Sequence, residues 1–329
     1  MYNARVPTLF QRLRDTALGR LLHFELLDDG LPPDPGFRQG WAGILPGLGD
    51  DRLFLDTYEE AMIREPLEAY GIMDGLRARG FKKIRIELNT SDPSFQQLLV
   101  YSDDPPCSDP LAEIALHRGS FATRAPFAEK LHGLVLPMLF ISWLRLQNPL
   151  KNGFQPERPR LPGQKHPGLG LGNEVMVMLS ALGQKLLTEG LANTPEYPHN
   201  AVLYSQRFMY LDPEAEGRLQ ALKRDLRKHG LADASWGIML GCVTEADSGR
   251  VLEWFKEEQI LPLGHVLRAY FHSRAYRTAA RTAAASVKYV LDTKKLAGLP
   301  MELPADPPRS SSGFQTAGSG RDPEGTAGR

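Results

Sequence analysis

Cysteine is scarce in this sequence, and its scarcity excludes two kinds of site. The chain has 329 residues but only two cysteines, Cys107 and Cys242, which lie far apart. Two such thiols make neither a disulfide framework nor a cysteine-rich metal cluster. We therefore expect two reduced thiols, as in a cytoplasmic protein, and we predict no metal site.

A surplus of charge and a long apolar run are also missing. The 39 basic side chains balance the 39 acidic ones, which argues against a nucleic-acid partner except through a local patch. The most apolar stretch, residues 134–146, is interrupted by Pro137 and Arg145 and is too short to cross a bilayer. The first residues lack the apolar core of a secretory signal. We expect a cytoplasmic protein with no transmembrane segment.

The order of the elements predicts an α+β, or mixed α/β, fold, with a largely antiparallel central sheet flanked by helices. Strands are predicted from alternating or continuous apolar runs at 83–88, 97–102, 111–117 and 136–146. The second and third should form an antiparallel hairpin because their connection is short. A further hairpin is predicted over 235–243 and 250–255.

Helices are predicted from apolar periodicity and from their start signals. They cover 7–28, the segment between Thr57 and Gly80, a stretch from Gly172 to about Glu189, residues 213–229 and one or two helices within 264–298. Thr57 and Glu60 have the spacing of a capping box. Asp212 followed by Pro213 is the clearest helix start.

Composition divides the chain into four predicted segments. Residues 1–56 hold a helix and a loop rich in glycine and proline, and residues 57–262 form the main α/β domain. Residues 263–299 are a helical segment packed on that domain. Residues 300–329 are predicted to be a disordered tail, since they are rich in glycine, serine and proline and poor in apolar side chains.

The segment Lys165–Gly172 is the best candidate for chemistry, because Gly168, Gly170 and Gly172 alternate just before an amphipathic helix. Glycine lets backbone amides approach a ligand without a Cβ, and a helix N-terminus adds free amides and partial positive charge. The pattern indicates a pyrophosphate cradle. Its spacing is that of neither a P-loop nor a dinucleotide fingerprint. Cationic donors would come from Arg158, Arg160, Lys165 and His166. The alternative is that these glycines only turn the chain onto the helix.

This segment resembles the acyl-CoA pyrophosphate loop of the GNAT acyltransferases, whose pattern Arg/Gln-x-x-Gly-x-Gly/Ala follows a central strand. Further on, Asn200, Tyr204 and Phe208 resemble the family's Asn…Tyr…Gly-Phe segment. The resemblance covers residues 82–210, with antiparallel strands before the loop and a long helix after it. It departs from the pattern in four ways: Lys165 stands for Arg/Gln, the loop is distant in sequence from the strand, the Tyr204-to-Phe208 spacing is one residue short, and Arg207 stands where glycine is expected.

The resemblance implies transfer of an acyl group from acetyl-CoA or another acyl-CoA to an amine. A small-molecule ligand is therefore expected. It implies Tyr204 as the general acid that protonates the leaving thiolate. Glu196 and His199 lie close by in sequence and are candidates to accept the amine proton, since a histidine titrates near neutral pH. A lone histidine in a loop is more often a structural hydrogen-bonding group.

The C-terminal helical segment suggests a second hypothesis from another class. Between Gly264 and Leu299 the only acidic residue is Asp292, against the basic residues Arg268, Arg274, Arg277, Arg281, Lys288, Lys294 and Lys295. Such a face is either simply solvated or meets an acidic partner, RNA or a lipid surface. The second hypothesis is therefore a non-catalytic cytoplasmic interaction protein. The oligomeric state is not predicted.

Overall fold

The computed structural model describes residues 53–122 and 134–302, which all belong to one compact unit. The helix predicted over 7–28, the loop after it and most of the predicted tail lie outside the described residues. The proposed division of the chain at residues 57, 263 and 300 stays a prediction.

The centre of the fold is a seven-stranded sheet in the order β1-β2-β3-β4-β5-β8-β6, and β7 and β9 form a separate two-stranded sheet. The strands are β1 Lys83–Asn89, β2 Gln96–Asp104, β3 Ala112–Ala122, β4 Val135–Leu146, β5 Gly190–Asn193, β6 Met209–Tyr210, β7 Val243–Glu245, β8 Gln259–Pro262 and β9 Tyr289–Leu291. All neighbours in the large sheet are antiparallel except the parallel pair β4–β5. The α/β fold, the four predicted strands and the β2–β3 hairpin are confirmed.

Helices cover the sheet on both faces. They are α1 Glu60–Ala69, α2 Ile72–Arg77, α3 Gly172–Lys185, α4 Pro198–Tyr204, α5 Pro213–Leu226, α6 Gly230–Met239, α7 His265–His272, α8 Arg274–Ala285 and α9 Thr293–Ala297. The core on one face joins α1, α2 and α3 to strand residues such as Leu139 and Leu191. On the other face α7 packs through Leu267 against Met138 and Phe140. A third cluster surrounds Trp236 and joins α5, α6, β7 and β9.

Two helix starts were predicted from the sequence, and only one is right. Asp212 caps α5, with its Oδ1 accepting from the Glu214 amide at 2.9 Å. Thr57 does not cap α1, because its hydroxyl donates to the Leu55 carbonyl and Glu59 takes the N-cap position. Leu55 and Asp56 have positive φ angles, and this tight turn delays the helix by two residues.

Two further predictions are wrong. In the hairpin predicted over 235–243 and 250–255, residues 235–239 belong to α6 instead of a strand, because the side chains of Ala232, Ser235 and Trp236 share one buried helical face. Residues 250–255 form no strand, only the isolated bridge between Thr244 and Val251. The strand β7 pairs with β9, far along the chain. Helix α3 ends at Lys185, and Gly190 begins β5 instead of ending the helix. A Cβ at Gly190 would lie 2.8 Å from the Leu261 carbonyl oxygen, so glycine permits the close approach of β5 and β8.

Candidate functional site

The parallel strands β4 and β5 pair over only four residues. Residues 138–141 of β4 face residues 190–193 of β5. Beyond Ile141, β4 continues to Leu146 paired only with β3, while β5 ends at Asn193. Between Ile141 and Leu146, the edge of β4 that faces β5 therefore has no strand partner, and we call the space beside it the gap. Open α/β sheets commonly bind ligands at the carboxyl ends of their strands.

Unpaired backbone groups of β4 line this gap. The register between β3 and β4 shifts between Ala115 and Leu116, which adds one residue, Ser142, to β4 at the start of the gap. The Leu146 carbonyl accepts from the Leu169 amide and so points away from β3. Because hydrogen-bonding directions alternate along a strand, the amide and carbonyl of Leu144 point the same way. An extended ligand in the gap can bond them.

Two buried amides lie where the gap begins. Asn193 is 3% exposed, and neither its Nδ2 nor its Oδ1 has a hydrogen-bond partner among the described residues. Its cross-strand neighbour Gln259 donates from Nε2 to the Ala201 carbonyl at 3.3 Å, but its buried Oε1 has no partner in the same part of the chain. An unsatisfied buried polar group costs about 1–3 kcal/mol. Asn193 therefore keeps a buried donor and a buried acceptor, next to the last paired residues of β4 and β5, that no described residue satisfies.

Residues 168–172, which we call the glycine segment, lie at the end of β4 in space, although they are distant from it in sequence. The Asn148 amide donates to the Pro167 carbonyl at 2.7 Å, and the Leu169 amide donates to the Leu146 carbonyl at 3.4 Å. Residues 148–167 therefore leave the end of β4 and return to it, and we call them the excursion. The length of the excursion does not separate the glycine segment from the strand.

The glycine segment is held in place by its leucines and by Arg79. Leu169 and Leu171 are buried in the core. Arg79, just after α2, donates from Nε to the Leu169 carbonyl at 2.5 Å and from Nη2 to the Gly170 carbonyl at 3.2 Å. Arg79 reaches this segment through contacts across the fold that no local pattern in the sequence encodes.

The first turn of α3 follows directly and presents free amides. The first backbone bond of the helix runs from the Val175 amide to the Leu171 carbonyl at 3.1 Å, so the amides of Gly172, Asn173 and Glu174 have no intrahelical acceptor. Gly172 is exposed, and a Cβ there would meet no atom within 4 Å. The amides and the helix dipole together suit an anion.

Arg207 adds a cation to this turn, and sequence reasoning missed it. Its Nη2 donates to the Asn173 Oδ1 at 2.8 Å. Partial burial lowers the pKa of Arg207, but an arginine stays protonated in proteins. In the sequence this residue was only a departure from a glycine position. The contact with α3 requires the fold to be known, so no signal in the sequence reveals it.

The four predicted cationic donors are not assembled at α3. Lys165 Nζ and His166 Nε2 both bond the Asp109 Oδ2, at 2.8 and 2.9 Å, and these bonds lower the pKa of Asp109. Arg160 donates to the Gln164 carbonyl within the excursion, and its own carbonyl accepts from Trp236 Nε1. Arg158 is exposed in a turn of the same excursion. Lys165 and His166 adjoin the glycine segment, but their charge is shared with Asp109.

The three candidate proton-transfer residues lie on α4 or just before it, and their contacts differ. Tyr204 packs on the core that contains Leu169 and Leu171, and burial raises its pKa to about 12. The phenol is thus protonated at neutral pH, as a general acid must be. Glu196 is partly exposed, and its Oε1 lies 4.0 Å from Lys256 Nζ.

His199 faces α6 instead of the glycine segment. It is 4% exposed, its Nδ1 lies 3.1 Å from the Ser235 Oγ, and its ring stacks on Tyr197. Burial lowers its pKa to about 4. The expectation that His199 titrates near neutral pH is therefore wrong, because a buried imidazole loses the solvation that its charged form needs. Its hydrogen bond to Ser235 is that of a structural histidine.

Comparison with known proteins gives partial structural similarities, among them the two that follow. The sequence matches no protein-family model and no curated protein. A structure of AtaT complexed with acetyl-methionyl-tRNAfMet is 15% identical with a TM-score of 0.24, over 49% of this chain and 83% of the other. A structure of AtaTR bound with AcCoA is 14% identical with a TM-score of 0.25, over 50% and 83%.

Within residues 53–122 and 134–302, no helix is long and apolar enough to cross a membrane. In the same residues no three His, Cys, Asp or Glu side chains are grouped so that they hold a metal ion.

Proposed function

We propose that the chain binds an acyl-CoA between β4 and β5 and transfers its acyl group to an amine. The observation that carries this proposal is the edge of β4 that has no strand partner beyond Ile141, with the glycine segment bonded to the end of β4 and the first turn of α3 directly after it. The pyrophosphate would lie on the amides of Gly172 and Asn173, near Arg207. The amide-bearing arm of CoA would extend along β4 and bond the backbone of Leu144.

The resemblance to the GNAT acyltransferases supports this proposal through the order of elements. It implied antiparallel strands, then the glycine loop, then a long helix, and β1–β4, residues 168–172 and α3 follow that order. In this proposal, Arg207, which stands where the family has glycine, donates hydrogen bonds to the phosphate oxygens. Lys165, which stands in place of Arg/Gln, would contribute positive charge at the edge of the pyrophosphate site, and its ion pair with Asp109 would partly neutralise that charge.

The proposed reaction is an aminolysis of the thioester. The amine nitrogen attacks the acyl carbonyl, a C–N bond forms and the C–S bond breaks. Tyr204 would donate its proton to the departing thiolate. The attacking amine would lose its proton to Glu196 or to solvent. His199 is a weak candidate for this step, because an imidazole whose pKa is about 4 holds a transferred proton poorly.

Gly172 is the position at which the cradle is best tested. Gly170 has a φ of +70°, so an alanine there would strain the backbone whether or not a ligand binds. Gly172 has no such angle and has open space around it. An alanine at the first position of a helix leaves the fold intact, while its methyl group would intrude on a phosphate that lies on the amides.

The experiment is a calorimetric titration of acetyl-CoA into wild type, Gly172→Ala and Gly298→Ala. Gly298 is the matched control, since it is exposed, has a φ of −90° and has only backbone atoms at 3.6 Å or more from a Cβ. We expect binding by wild type and Gly298→Ala, and a loss of at least about tenfold in affinity for Gly172→Ala, or about 1.4 kcal/mol. Equal melting temperatures would show that the fold is intact. Wild type that shows no binding heat at millimolar acetyl-CoA would overturn the proposal.

A further inference from the structure

The C-terminal helices concentrate the positive charge of a chain whose net charge is zero. Residues 259–291, which hold β8, α7, α8 and β9, contain no aspartate or glutamate. The same residues contain four arginines and one lysine: Arg268, Arg274, Arg277, Arg281 and Lys288. This region has no acidic side chain of its own to balance them.

Three of these arginines form a stripe along α8. Arg274, Arg277 and Arg281 are spaced by three and four residues, so they share one face of the helix. Along the axis they are about 4.5 and 6 Å apart, at 1.5 Å per residue. All three are exposed. We call this set the arginine stripe.

Packing of the buried face of α8 fixes the direction of the stripe. Tyr276 and Ala280 are buried, and the Tyr276 hydroxyl donates to the Tyr210 carbonyl at 2.5 Å. On α5, a Cβ at Gly217 would lie 2.3 Å from the Ala280 carbonyl oxygen, so the two helix backbones are in close contact. Helix α8 cannot rotate its arginines inward without losing these contacts.

The arginines of the stripe have no acidic partner among the described residues. No ion pair or side-chain hydrogen bond joins Arg274, Arg277 or Arg281 to another residue in that part of the chain. Two exposed arginines elsewhere, by contrast, have acidic partners: Arg77 bonds Asp74 at 2.8 Å, and Arg250 bonds Glu245 at 2.6 Å. The donors of the stripe are therefore available to an external anion.

The surroundings of the stripe favour one class of partner. The exposed large apolar side chains in the described residues lie outside α7 and α8. A membrane-bound helix inserts apolar side chains, and the centre of a protein interface is built on apolar or aromatic anchors. A nucleic-acid backbone needs neither, since cations alone bind its phosphates. Arginine also matches phosphate oxygens with two parallel hydrogen bonds.

We propose that the arginine stripe of α8 binds the phosphodiester backbone of a nucleic acid, without reading its sequence. This inference rests on α8 and its packing, and it is independent of acyl-CoA binding. The stripe is a local patch of positive charge, and a net charge of zero over the whole chain does not exclude such a patch.

The test is fluorescence anisotropy with the full chain and labelled single-stranded RNA, single-stranded DNA and duplex RNA. For three phosphate contacts on a single strand, the logarithm of the binding constant should fall against the logarithm of salt concentration with a slope of about −2. The variant Arg274→Gln/Arg277→Gln/Arg281→Gln should bind at least about tenfold more weakly and lose most of that slope. The control Arg77→Gln/Arg85→Gln/Arg250→Gln changes net charge equally and should bind like wild type.

The inference would be overturned if wild type bound none of the three nucleic acids at low salt. It would also be overturned if the stripe variant bound them as tightly as wild type. Stronger binding to vesicles containing phosphatidylserine than to RNA would assign the stripe to a membrane surface instead. The salt slope of wild type requires no variant, so the test stands even if the triple variant fails to fold. Comparison of the RNA and DNA arms identifies which backbone is preferred.

Discussion

The Arg207 guanidinium donates to the Asn173 side chain at 2.8 Å and thereby stands beside the free amides that begin α3. The bond joins the segment after α4 to the helix that follows the glycine segment. A cation and a set of amides then face the same space. Their juxtaposition gives the proposed pyrophosphate site a charge that the glycines alone do not supply.

We therefore expect Arg207→Gln to weaken CoA binding about tenfold, because a hydrogen bond to a charged group contributes about 1.5–3 kcal/mol and exposure reduces it. Asn173→Ala is the matched control, since it removes the same bond but keeps the arginine. It should change the affinity by much less. Calorimetric titration with CoA measures both variants. Equal losses would mean that the bond to Asn173 matters and the charge does not.

Tyr204→Phe tests the proposed general acid. The substitution keeps the aromatic packing on the core and removes only the hydroxyl. We expect the rate of acyl transfer to fall by about 10²-fold or more, while acetyl-CoA affinity and melting temperature stay close to wild type. Release of free CoA thiol in the presence of an accepted amine measures the rate. Since the pKa of Tyr204 is about 12, the wild-type rate should show no loss from phenol ionisation below about pH 10. An unchanged rate in the variant would remove Tyr204 from the reaction.

Sequence reasoning found the elements whose signals are local. Alternating residues predicted β1 and β2, and Asp212 with Pro213 predicted the start of α5, because each signal lies within a few residues. Strand β5 was missed because its four residues are too few to show a period. The false strand at 235–243 has a similar cause, since a short apolar run fits either a strand or a buried helix.

The candidate site was predicted only in part, for a related reason. The glycine segment has a recognisable composition, whereas Arg79, Asn193 and Arg207 take their places through contacts between distant segments. His199 was judged by the ordinary pKa of its side chain, and burial against Ser235 and Tyr197 overrides that value. The excursion appeared to separate β4 from the glycines because distance along the chain says nothing about its return.

His199 should also make the stability of the protein depend on pH. Its pKa falls from 6.5 in the unfolded chain to about 4 in the folded one, so between these values the unfolded state binds more protons. The free energy of unfolding should therefore be at its full value above about pH 6.5. It should decrease as the pH falls toward 4, by about 3 kcal/mol in total. Urea unfolding of wild type and His199→Gln across this range should give a difference that shrinks as the pH falls. A constant difference would contradict the buried neutral state.

The unsatisfied amide of Asn193 leads to the most distinctive prediction, because stability and binding should change in opposite directions. Its side chain is 3% exposed, with no hydrogen-bond partner among the described residues. Valine is similar in size, suits a strand and needs no partner. If the amide is kept for a ligand in the gap, Asn193→Val should raise the free energy of unfolding by up to about 1 kcal/mol.

The same variant should bind acetyl-CoA more weakly, since the gap loses a donor and an acceptor. Asn193→Ala separates the two effects, because it removes the amide and also leaves a small cavity, so it should lose both affinity and stability. Urea unfolding and calorimetry with the three proteins measure the pair of changes. A valine variant that is less stable and binds acetyl-CoA like wild type would show that Asn193 serves the fold and not the ligand. A stable variant with weakened binding would place the amide in the site, since a purely structural residue cannot produce that combination.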